Sequence, residues 1–267
     1  MNVLKYIAGK LGKSFRRFFK IRLPKNIYKS LGFHGTFLVP LNGKKIIFNN
    51  FRDEISNDIF YSGIFGNYEG FSLKIWNHLC LKVNKSYVLD VGGYTGVYSL
   101  VAASANSQIN IQTYEPHPNT FKLLKKNIFS NSYKNINLNN FALSDKDEDL
   151  IFYNSLGNCP SGFSSINHSF IEKDSGTLAC KARNINDVLQ NECSDMKISL
   201  IKIDIERAEL PLLTLIIKRI IHDQTCVLCE VLDWESYNKF DELFTANHFY
   251  SILIDDVNHK AMRVEKL

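Results

Sequence analysis

Apolar runs alternate with amphipathic segments along most of the chain. The apolar runs predict buried strands at 87–91, 109–114, 136–142, 200–204 and 226–232. Between these runs, apolar residues recur at helical spacing, as at Phe121, Leu124 and Ile128. Strands that alternate with helices predict an α/β fold, in which a mostly parallel sheet carries helices on both faces.

Both ends of this pattern carry hairpin signals. Asn42-Gly43 lies between two apolar runs and predicts a tight hairpin turn. A helix is predicted over 69–80, directly before the first strand of the sheet. Near the C-terminus, 249–254 and 261–264 predict a closing hairpin that adds an antiparallel edge strand to the sheet. The segment 154–176 is rich in Ser, Asn and Gly, which predicts a long loop.

The length of 267 residues suits one α/β domain with extensions. Hydrophobic residues make up 45% and charged residues 22%, which excludes disordered and collagen-like classes. We divide the chain into a basic extension (1–30), an N-terminal region with the hairpin and lead-in helix (31–85), and a sheet region (86–267). No internal repeat is visible.

Charge is distributed unevenly. The net charge is +5, yet residues 1–30 hold nine Lys or Arg and no acidic residue. The remainder of the chain has 23 basic and 27 acidic residues. A nucleic-acid-binding domain would carry basic surface on its body, so the composition argues against nucleic acid as a partner.

The basic extension predicts an amphipathic helix over 3–20, with Leu4, Ile7 and Phe15 on one face and lysines and arginines on the other. Such a helix can lie on an anionic membrane surface. Alternatively, this helix packs on the body of the protein or on a partner, or it binds nucleic acid.

Six irregularly spaced cysteines indicate a reduced, cytoplasmic protein. No apolar run reaches spanning length and no secretory cleavage site follows the extension, so we expect a cytoplasmic protein, peripheral on the inner membrane face if the helix attaches there.

A glycine-rich turn follows the first strand of the sheet. Asp90 ends that strand, and Gly92 and Gly96 lie in the turn that opens the next helix. Such a turn lets a ligand approach the backbone and the unpaired N–H groups of a helix start. Glu115 ends the following strand, where a carboxylate can accept hydrogen bonds from both hydroxyls of a ribose. The sequence therefore predicts a nucleotide or nucleoside site.

Two cofactor classes compete for this site. A dinucleotide turn needs Gly-x-Gly-x-x-Gly, and alignment on Gly93 and Gly96 would place the missing glycine at Val91. The Gly-Lys-Ser/Thr of a phosphate loop is also absent from the sequence. An acid at Asp90 favours a cationic ligand over a pyrophosphate. S-adenosylmethionine carries an ammonium and a sulfonium and no phosphate, so it fits the pattern better.

A polar stripe runs along the strand at 200–204. Lys202, Asp204 and Glu206 alternate with isoleucines and would share one side of an extended chain. Charges on a central strand are costly unless they are paired or functional. A carboxylate, or a lysine with a shifted pKa, could take the proton of a hydroxyl that accepts a methyl group. Asp204 is the first candidate, with Glu206 and Glu209 next, and Glu230 ends the neighbouring strand.

Alternatives remain for the polar stripe. A divalent metal held by carboxylates could polarise the hydroxyl instead, or Lys202 could form a structural ion pair with the acids. The cysteine and histidine spacings support no metal site.

Taken together, these segments resemble the FkbM family of S-adenosylmethionine-dependent methyltransferases. The resemblance covers roughly residues 60–235. The matching stretches, in the order of the family, are Val88-Leu-Asp-Val-Gly-Gly-Tyr-Thr-Gly-Val-Tyr-Ser-Leu100, Tyr114-Glu-Pro-His-Pro-Asn-Thr-Phe121, Ala142-Leu-Ser-Asp145, Leu200-Ile-Lys-Ile-Asp-Ile-Glu-Arg-Ala-Glu209 and Cys229-Glu-Val231.

This resemblance implies the seven-stranded, Rossmann-like class I methyltransferase fold. It also implies O-methylation, often of a sugar hydroxyl in a bacterial surface glycan or a specialised metabolite. Lys202 belongs to the same motif as Asp204, Glu206 and Glu209 and is a catalytic candidate with them. The family resemblance implies these cofactor contacts: Glu69, Asp90, Gly92, Gly93, Gly96, Glu115, Ala142, Ser144 and Asp145.

The chain departs from the family pattern at two places. Arg207 replaces the glycine usual between the acids, and Gly93-Tyr94 replaces a common Ala-Asn. An arginine there could fill the site, bind an anionic acceptor, or pair with Glu206 or Glu209. We predict an O-methyltransferase, with an NAD-dependent sugar oxidoreductase and a catalytically closed cofactor-binding scaffold as alternatives.

Overall fold

The computed structural model describes residues 34–51, 53–154, 164–165, 176–205 and 207–262. Three sequence predictions lie outside these residues: the amphipathic helix over 3–20, most of the loop over 154–176, and Glu206. No helix in the described ranges combines the length and the apolar character that crossing a bilayer requires.

An antiparallel hairpin opens the described part of the chain. Its strands are β1, Gly35–Leu41, and β2, Lys44–Asn50. The turn residues Asn42 and Gly43 both have positive φ, 50° and 71°, as a two-residue Asn-Gly turn requires. The predicted hairpin is confirmed.

Two helices connect this hairpin to the sheet. They are α1, Glu54–Ser62, and α2, Gly70–Lys82. The second confirms the helix predicted over 69–80. Its N-cap residue, Glu69, has a left-handed backbone with φ 36°, so the chain turns sharply immediately before the helix. The position of Glu69 is therefore fixed by the start of α2.

A parallel sheet forms the centre of the molecule. Its strands are β3 Tyr87–Val91, β4 Asn110–Tyr114, β5 Ile136–Asn139, β10 Ile198–Ile203 and β11 Cys226–Cys229. They lie in the order β11-β10-β3-β4-β5. Since β4 and β5 extend to one side of β3 while β10 and β11 extend to the other, the strand order reverses beside β3. A crevice forms at the carboxyl ends of strands at such a reversal.

Helices cover both faces of this sheet, as predicted. They are α3 Val97–Ala105, α4 Pro118–Phe129, α5 Ile185–Glu192, α6 Glu209–Asp223 and α7 Trp234–Thr245. Val88 packs in a cluster with Leu100 of α3, whereas the next residue, Leu89, packs in a second cluster with Leu213 of α6. The first cluster also includes side chains of the N-terminal region, and the boundary between that region and the sheet region stays a prediction.

A second sheet flanks the first. It contains β6 Ala142–Ser144, β7 Glu148–Asn154, β8 Ser164–Ser165 and β9 Gly176–Asn184, in the order β6-β9-β7-β8. The single strand predicted over 136–142 is therefore wrong in extent. The Asn140 side chain donates to the carbonyls of Glu115 and Pro116, at 2.8 and 3.1 Å. The chain leaves the parallel sheet there, and β6 pairs with β9 instead.

The prediction of a seven-stranded sheet with an antiparallel edge hairpin needs correction. Within the described residues the parallel sheet has five strands. The C-terminal hairpin forms, from β12 Leu253–Asp255 and β13 Lys260–Met262, but its strands pair only with each other. Its turn is bound to α2, because the carboxylate of Asp256 accepts hydrogen bonds from the backbone N–H groups of Phe71 and Ser72, at 2.8 and 2.9 Å.

Candidate functional site

The glycine turn after β3 is built for close backbone approach. Gly92 has φ 83°, and a Cβ there would lie 1.9 Å from the backbone oxygen of Asp204. A Cβ on Gly93 would lie 2.4 Å from Cγ2 of Thr113. Gly96 has φ 87° and is the N-cap of α3. All three predicted glycines therefore occupy positions that a larger residue would disturb.

Asp90 lies beneath this turn and is 1% exposed. Its Oδ2 accepts a hydrogen bond from Ser99 Oγ at 2.5 Å, while its Oδ1 has no hydrogen-bond partner among the described residues. Burial raises the pKa of Asp90, and Lys202 on the adjacent strand acts in the opposite direction. Asp90 does not line the cavity beside the turn. The structure thus places Asp90 beneath the turn rather than in the cavity wall, and its contact with the cofactor stays a prediction.

Glu115, at the end of β4, lines the same cavity and is 7% exposed. Its Oε2 accepts from the backbone N–H of Tyr94 at 3.0 Å, and its Oε1 accepts from that of His117 at 2.9 Å. Burial raises its pKa to about 7, against the lowering effect of these hydrogen bonds and of Lys202. A carboxylate held in this way has a fixed orientation, and each oxygen keeps a lone pair for a further donor.

The segment after Asn140 supplies another wall of this cavity. Ala142 lines it, together with Phe141 and Leu143. Ser144 and Asp145 do not: the Ser144 hydroxyl donates to Asp145 Oδ1 at 3.1 Å, at an exposed position. Only one of these three predicted contacts is therefore placed at the cavity.

Lys202 and Asp204 form an ion pair at the end of β10. Nζ of Lys202 lies 3.1 Å from Oδ2 of Asp204 and 3.3 Å from the carbonyl oxygen of Gly92. The side chain of Lys202 is 7% exposed and that of Asp204 is 24% exposed. Burial disfavours the charge on Lys202, but the carboxylates of Asp204, Asp90 and Glu69 outweigh it and raise the pKa of the lysine.

These contacts define the roles that the two side chains can take. An ammonium whose pKa is raised keeps its proton, so the arrangement does not favour Lys202 as a proton acceptor. The lysine instead orients Asp204, whose carboxylate reaches the cavity. The predicted common side of Lys202 and Asp204 is confirmed.

Glu69 approaches this ion pair from α2. Its Oε2 accepts from the hydroxyl of Tyr98 at 2.6 Å, and the Tyr68 hydroxyl also hydrogen-bonds to its carboxylate. Burial raises the pKa of Glu69, while Lys202 lowers it. Nζ of Lys202 lies 4.9 Å from the centre of the Tyr98 ring. Glu69 is therefore part of a largely buried network with Lys202 and two tyrosines.

Sequence reasoning did not assign the two tyrosines to the site. Both line the cavity, and burial raises the pKa of each well above its usual range. Tyr98 stands in the first turn of the helix that the glycine turn opens, which is a position where a side chain can reach the ligand. Tyr68 directly precedes Glu69 in the chain. In the sequence, each tyrosine could have been assigned to the site only because it lies close to a predicted site residue.

The structure places Glu209 against the loop that follows β10, and its catalytic role stays a prediction. Glu209 is 6% exposed, and its Oε1 accepts from the backbone N–H groups of Ile205 and Arg207, at 2.9 and 3.1 Å. The carboxylate is thus engaged in holding the loop after β10. Glu209 lines neither of the two cavities to which Asp204 contributes.

Arg207 points away from the site. Its φ is 80°, a conformation that favours glycine. Its Nη1 lies 3.8 Å from Oδ2 of Asp233, the N-cap of α7. Arg207 lines neither large cavity, so it does not fill the site. Its partner is Asp233 rather than the predicted Glu209, and its relation to Glu206 lies outside the described residues.

Two cavities meet at this network. The glycine-loop cavity, lined by the glycine turn, Glu115 and Ala142, has an empty volume of about 1050 Å³, part of it open to solvent. The hairpin cavity, between β11, α7 and the C-terminal hairpin, has about 1690 Å³ on the same measure. Tyr98, Lys202 and Asp204 line both. A ligand in each cavity would therefore meet the other at Asp204.

Metal ligation lacks a matching cluster in the part of the chain that the structure describes. No group of three His, Cys, Asp or Glu side chains there is placed to hold a metal ion. Glu230, at the end of β11, lines the hairpin cavity but is exposed. At the junction, where the two cavities meet, the polar groups are therefore the Lys202–Asp204 ion pair and hydrogen-bonded tyrosine hydroxyls.

Comparison with solved structures gives matches to methyltransferases from three bacteria. Precorrin-6y C5,15-methyltransferase from Geobacter metallireducens is 11% identical over 68% of this chain and 73% of its own, with a TM-score of 0.41. A SAM-dependent methyltransferase from Agrobacterium tumefaciens is 13% identical, over 80% and 58%, with a TM-score of 0.45. A SAM-dependent O-methyltransferase from Thermotoga maritima is 7% identical, over 73% and 60%, with a TM-score of 0.39.

The match thus spans less than two thirds of the second and third of these proteins. Comparison with curated proteins gives no match. A family model described as the methyltransferase FkbM domain matches residues 90–255. This range covers β3 to β12, with the glycine turn, Glu115 and the Lys202–Asp204 pair, and is more than half of the chain. The protein is therefore a methyltransferase that belongs to the FkbM domain family.

Proposed function

We propose that this methyltransferase transfers a methyl group from S-adenosylmethionine to a hydroxyl oxygen, and that Asp204 receives the hydroxyl proton. The observation that carries the proposal is the position of Asp204. Its carboxylate lines both large cavities and is oriented by Lys202 at 3.1 Å. An acceptor in the hairpin cavity would therefore meet a ligand of the glycine-loop cavity beside Asp204, Lys202 and Tyr98.

The lining of the glycine-loop cavity supports S-adenosylmethionine as its ligand. Its glycine turn admits a ligand against the backbone, because Cβ atoms at Gly92 and Gly93 would collide with their neighbours. The oriented carboxylate of Glu115 is placed to accept hydrogen bonds from the ribose hydroxyls. The adjoining wall at Phe141 and Ala142 offers apolar surface for the adenine ring.

Charge in this cavity argues against a dinucleotide. Glu115 and Asp204 both line it, and Lys202 is already paired with Asp204. A pyrophosphate would bring two further negative charges to these carboxylates, whereas the ammonium and sulfonium of S-adenosylmethionine carry positive charge. The alternative of an NAD-dependent oxidoreductase is thus disfavoured.

The chemistry at Asp204 is proton removal from the attacking oxygen. When bound, S-adenosylmethionine supplies an electrophilic methyl group, which the acceptor oxygen takes as the carbon–sulfur bond breaks. Asp204 accepts a hydrogen bond from the acceptor hydroxyl and takes its proton as the new bond forms. Lys202 holds Oδ2 of Asp204 at 3.1 Å and so fixes the orientation of the carboxylate toward the acceptor.

The acceptor class that we propose is a sugar hydroxyl in a bacterial surface glycan or a specialised metabolite. Support for this acceptor class comes from the family resemblance.

We further propose that the protein is cytoplasmic and that residues 3–20 attach it to an anionic membrane. Deletion of residues 1–25 should then abolish flotation with anionic liposomes and leave affinity for S-adenosylhomocysteine unchanged. Flotation of the truncated protein would contradict the membrane proposal.

The test of function uses methyl-labelled S-adenosylmethionine with the full chain and a cell-envelope extract. Label should appear in one fraction, whether lipid-linked glycan, free polysaccharide or small molecules. Asp204→Asn should lower the initial rate at least a hundredfold while keeping affinity for S-adenosylhomocysteine within about threefold. Asp187→Asn, at an exposed position on α5, is the control and should label normally.

Two outcomes would replace the proposal with an alternative. Calorimetric titration that shows binding of NADH and not of S-adenosylhomocysteine would indicate an oxidoreductase. Binding of S-adenosylhomocysteine without label in any fraction would favour the closed scaffold. An unchanged rate in Asp204→Asn would contradict the role of that carboxylate.

A further inference from the structure

The hairpin cavity is apolar over most of its wall. Aromatic and aliphatic side chains line it from four directions: α2, β11, α7 and the C-terminal hairpin with the segment before it. Six of them are Leu228, Phe240, Phe244, Phe249, Ile252 and Leu253. A wall of this kind gains free energy when an apolar group replaces the water beside it.

Two hydroxyl groups in this wall are satisfied within the protein. The hydroxyl of Thr225 donates to the carbonyl of Ile198 at 2.7 Å. The hydroxyl of Ser72 donates to the carboxylate of Asp256. By contrast, Asp204 at the junction keeps about a quarter of its side chain exposed, 24%. The polar end of an occupant would therefore lie at the junction and its apolar part in the remainder.

The mouth of the cavity is also apolar. Tyr250 and Ile252 line the cavity and are 69% and 52% exposed. Trp234 is 63% exposed, and its ring centre lies 5.6 Å from that of Tyr237, which lines the cavity. Exposed aromatic and aliphatic side chains around one opening mark a binding surface rather than ordinary protein surface.

From this arrangement we propose that the methyl acceptor is an amphiphile, with its hydroxyl-bearing polar group at Asp204 and an alkyl or polyprenyl chain in the hairpin cavity. This inference rests on the proposed function, because it places the acceptor beside Asp204. It adds a requirement that the function alone does not make: a free sugar that lacks an apolar chain is a poor ligand. The two large cavities would thus hold chemically different partners.

The test measures affinity for n-alkyl β-D-glucosides, from methyl to octyl, each below its critical micelle concentration. Calorimetry would be run on the full chain saturated with S-adenosylhomocysteine. Each methylene that enters the cavity should tighten binding about fourfold. Octyl glucoside should therefore bind at least a hundredfold more tightly than methyl glucoside. Equal affinity along the series would overturn the inference.

A matched pair of variants locates the effect. Ile252→Glu places a carboxylate in the cavity wall and should reduce the octyl-to-methyl affinity ratio at least tenfold. Leu38→Glu, at a residue of β1 that is equally exposed at 52% and lines neither large cavity, should leave the ratio unchanged. A ratio that falls equally in both variants would indicate nonspecific detergent binding and would also overturn the inference.

Failure of the inference and failure of the proposed function give different results. If S-adenosylhomocysteine binds but chain length has no effect, the acceptor lacks an apolar chain and the methyltransferase assignment is untouched. If S-adenosylhomocysteine does not bind at all, the cofactor proposal fails first. A mass measurement by light scattering in the same samples would show whether a second copy of the chain, rather than the glucoside, covers the cavity, and that result would contradict the inference.

Discussion

The backbone oxygen of Asp204 occupies the space where a side chain on Gly92 would begin, since a Cβ on Gly92 would lie 1.9 Å from it. The glycine turn and the candidate catalytic carboxylate therefore touch through their backbones. Any residue larger than glycine at 92 must displace the end of β10, and with it Asp204. In the proposed mechanism, cofactor binding and proton removal thus depend on one contact.

Gly92→Ala should lower both stability and cofactor affinity, although it adds only one methyl group. We expect a loss of about 2 to 4 kcal/mol in the free energy of unfolding, from the clash and from the positive φ. Affinity for S-adenosylhomocysteine should fall at least tenfold. Gly43→Ala is the matched control, because Gly43 also has positive φ, at 71°, but a Cβ there would meet nothing within 4 Å. It should cost about 1 kcal/mol and leave affinity unchanged; similar losses in both variants would refute the steric argument.

Glu115 should make cofactor affinity depend on pH. Its pKa is raised to about 7, mainly by burial, so the carboxylate is mostly ionised at pH 8 and mostly protonated at pH 6. The protonated form loses acceptor capacity toward ribose hydroxyls, and affinity for S-adenosylhomocysteine should fall about tenfold between these pH values. Calorimetry on Glu115→Gln should show weaker binding with a flat pH profile. A profile that keeps its slope in the variant would assign the titration to another group.

Removal of the charge on Lys202 should destabilise the protein in a pH-dependent way. Lys202 lowers the pKa values of Asp90 and Glu69, which burial raises. In Lys202→Met both values should rise further, so the folded state binds protons more tightly than the unfolded state and loses stability as pH increases. We expect a loss of about 3 to 5 kcal/mol at pH 8, and a smaller one at pH 5.

Urea denaturation at the two pH values measures this effect. Lys239→Met is the control, since Lys239 pairs with Glu235 at an exposed position, and it should cost less than about 1 kcal/mol at either pH. A pH-independent loss in Lys202→Met would indicate lost packing rather than uncompensated carboxylates.

Arg207→Gly should leave cofactor affinity nearly unchanged. The left-handed backbone at Arg207, φ 80°, suits glycine, while glycine also costs more entropy on folding. We therefore expect a stability change within about 1 kcal/mol and an affinity for S-adenosylhomocysteine within about threefold. The closed-scaffold alternative differs in activity rather than in binding: both proteins would bind S-adenosylhomocysteine, but only the variant would transfer the methyl label. A labelling assay on both proteins separates the two.

Local patterns carried most of the correct predictions. The Asn42-Gly43 turn depends on the φ preferences of two adjacent residues, and the shared side of Lys202 and Asp204 depends on the alternation of one strand. The glycine turn was likewise predictable, because its conformation is needed within a few residues of Gly92. Each of these features is determined by neighbours in the chain.

Contacts between distant segments account for the predictions that failed. The strand over 136–142 breaks because the Asn140 amide reaches carbonyls at the end of β4, which the hydrophobic pattern of the strand does not encode. The hydrogen bonds that the Glu209 carboxylate accepts from the loop after β10 were likewise not predictable from spacing, and its catalytic role stays a prediction. The C-terminal hairpin was recognised, but its position depends on Asp256.

That contact also gives the start of α2 an unusually distant partner. Asp256 binds backbone groups of Phe71 and Ser72, which lie 185 and 184 residues earlier in the chain. Among the described residues, those that line the glycine-loop cavity all lie between Ile55 and Ala208, whereas those that line the hairpin cavity extend to Ala261. The wall of the hairpin cavity therefore depends on contacts of longer range than the wall of the glycine-loop cavity, and contacts of long range are slow to form during folding.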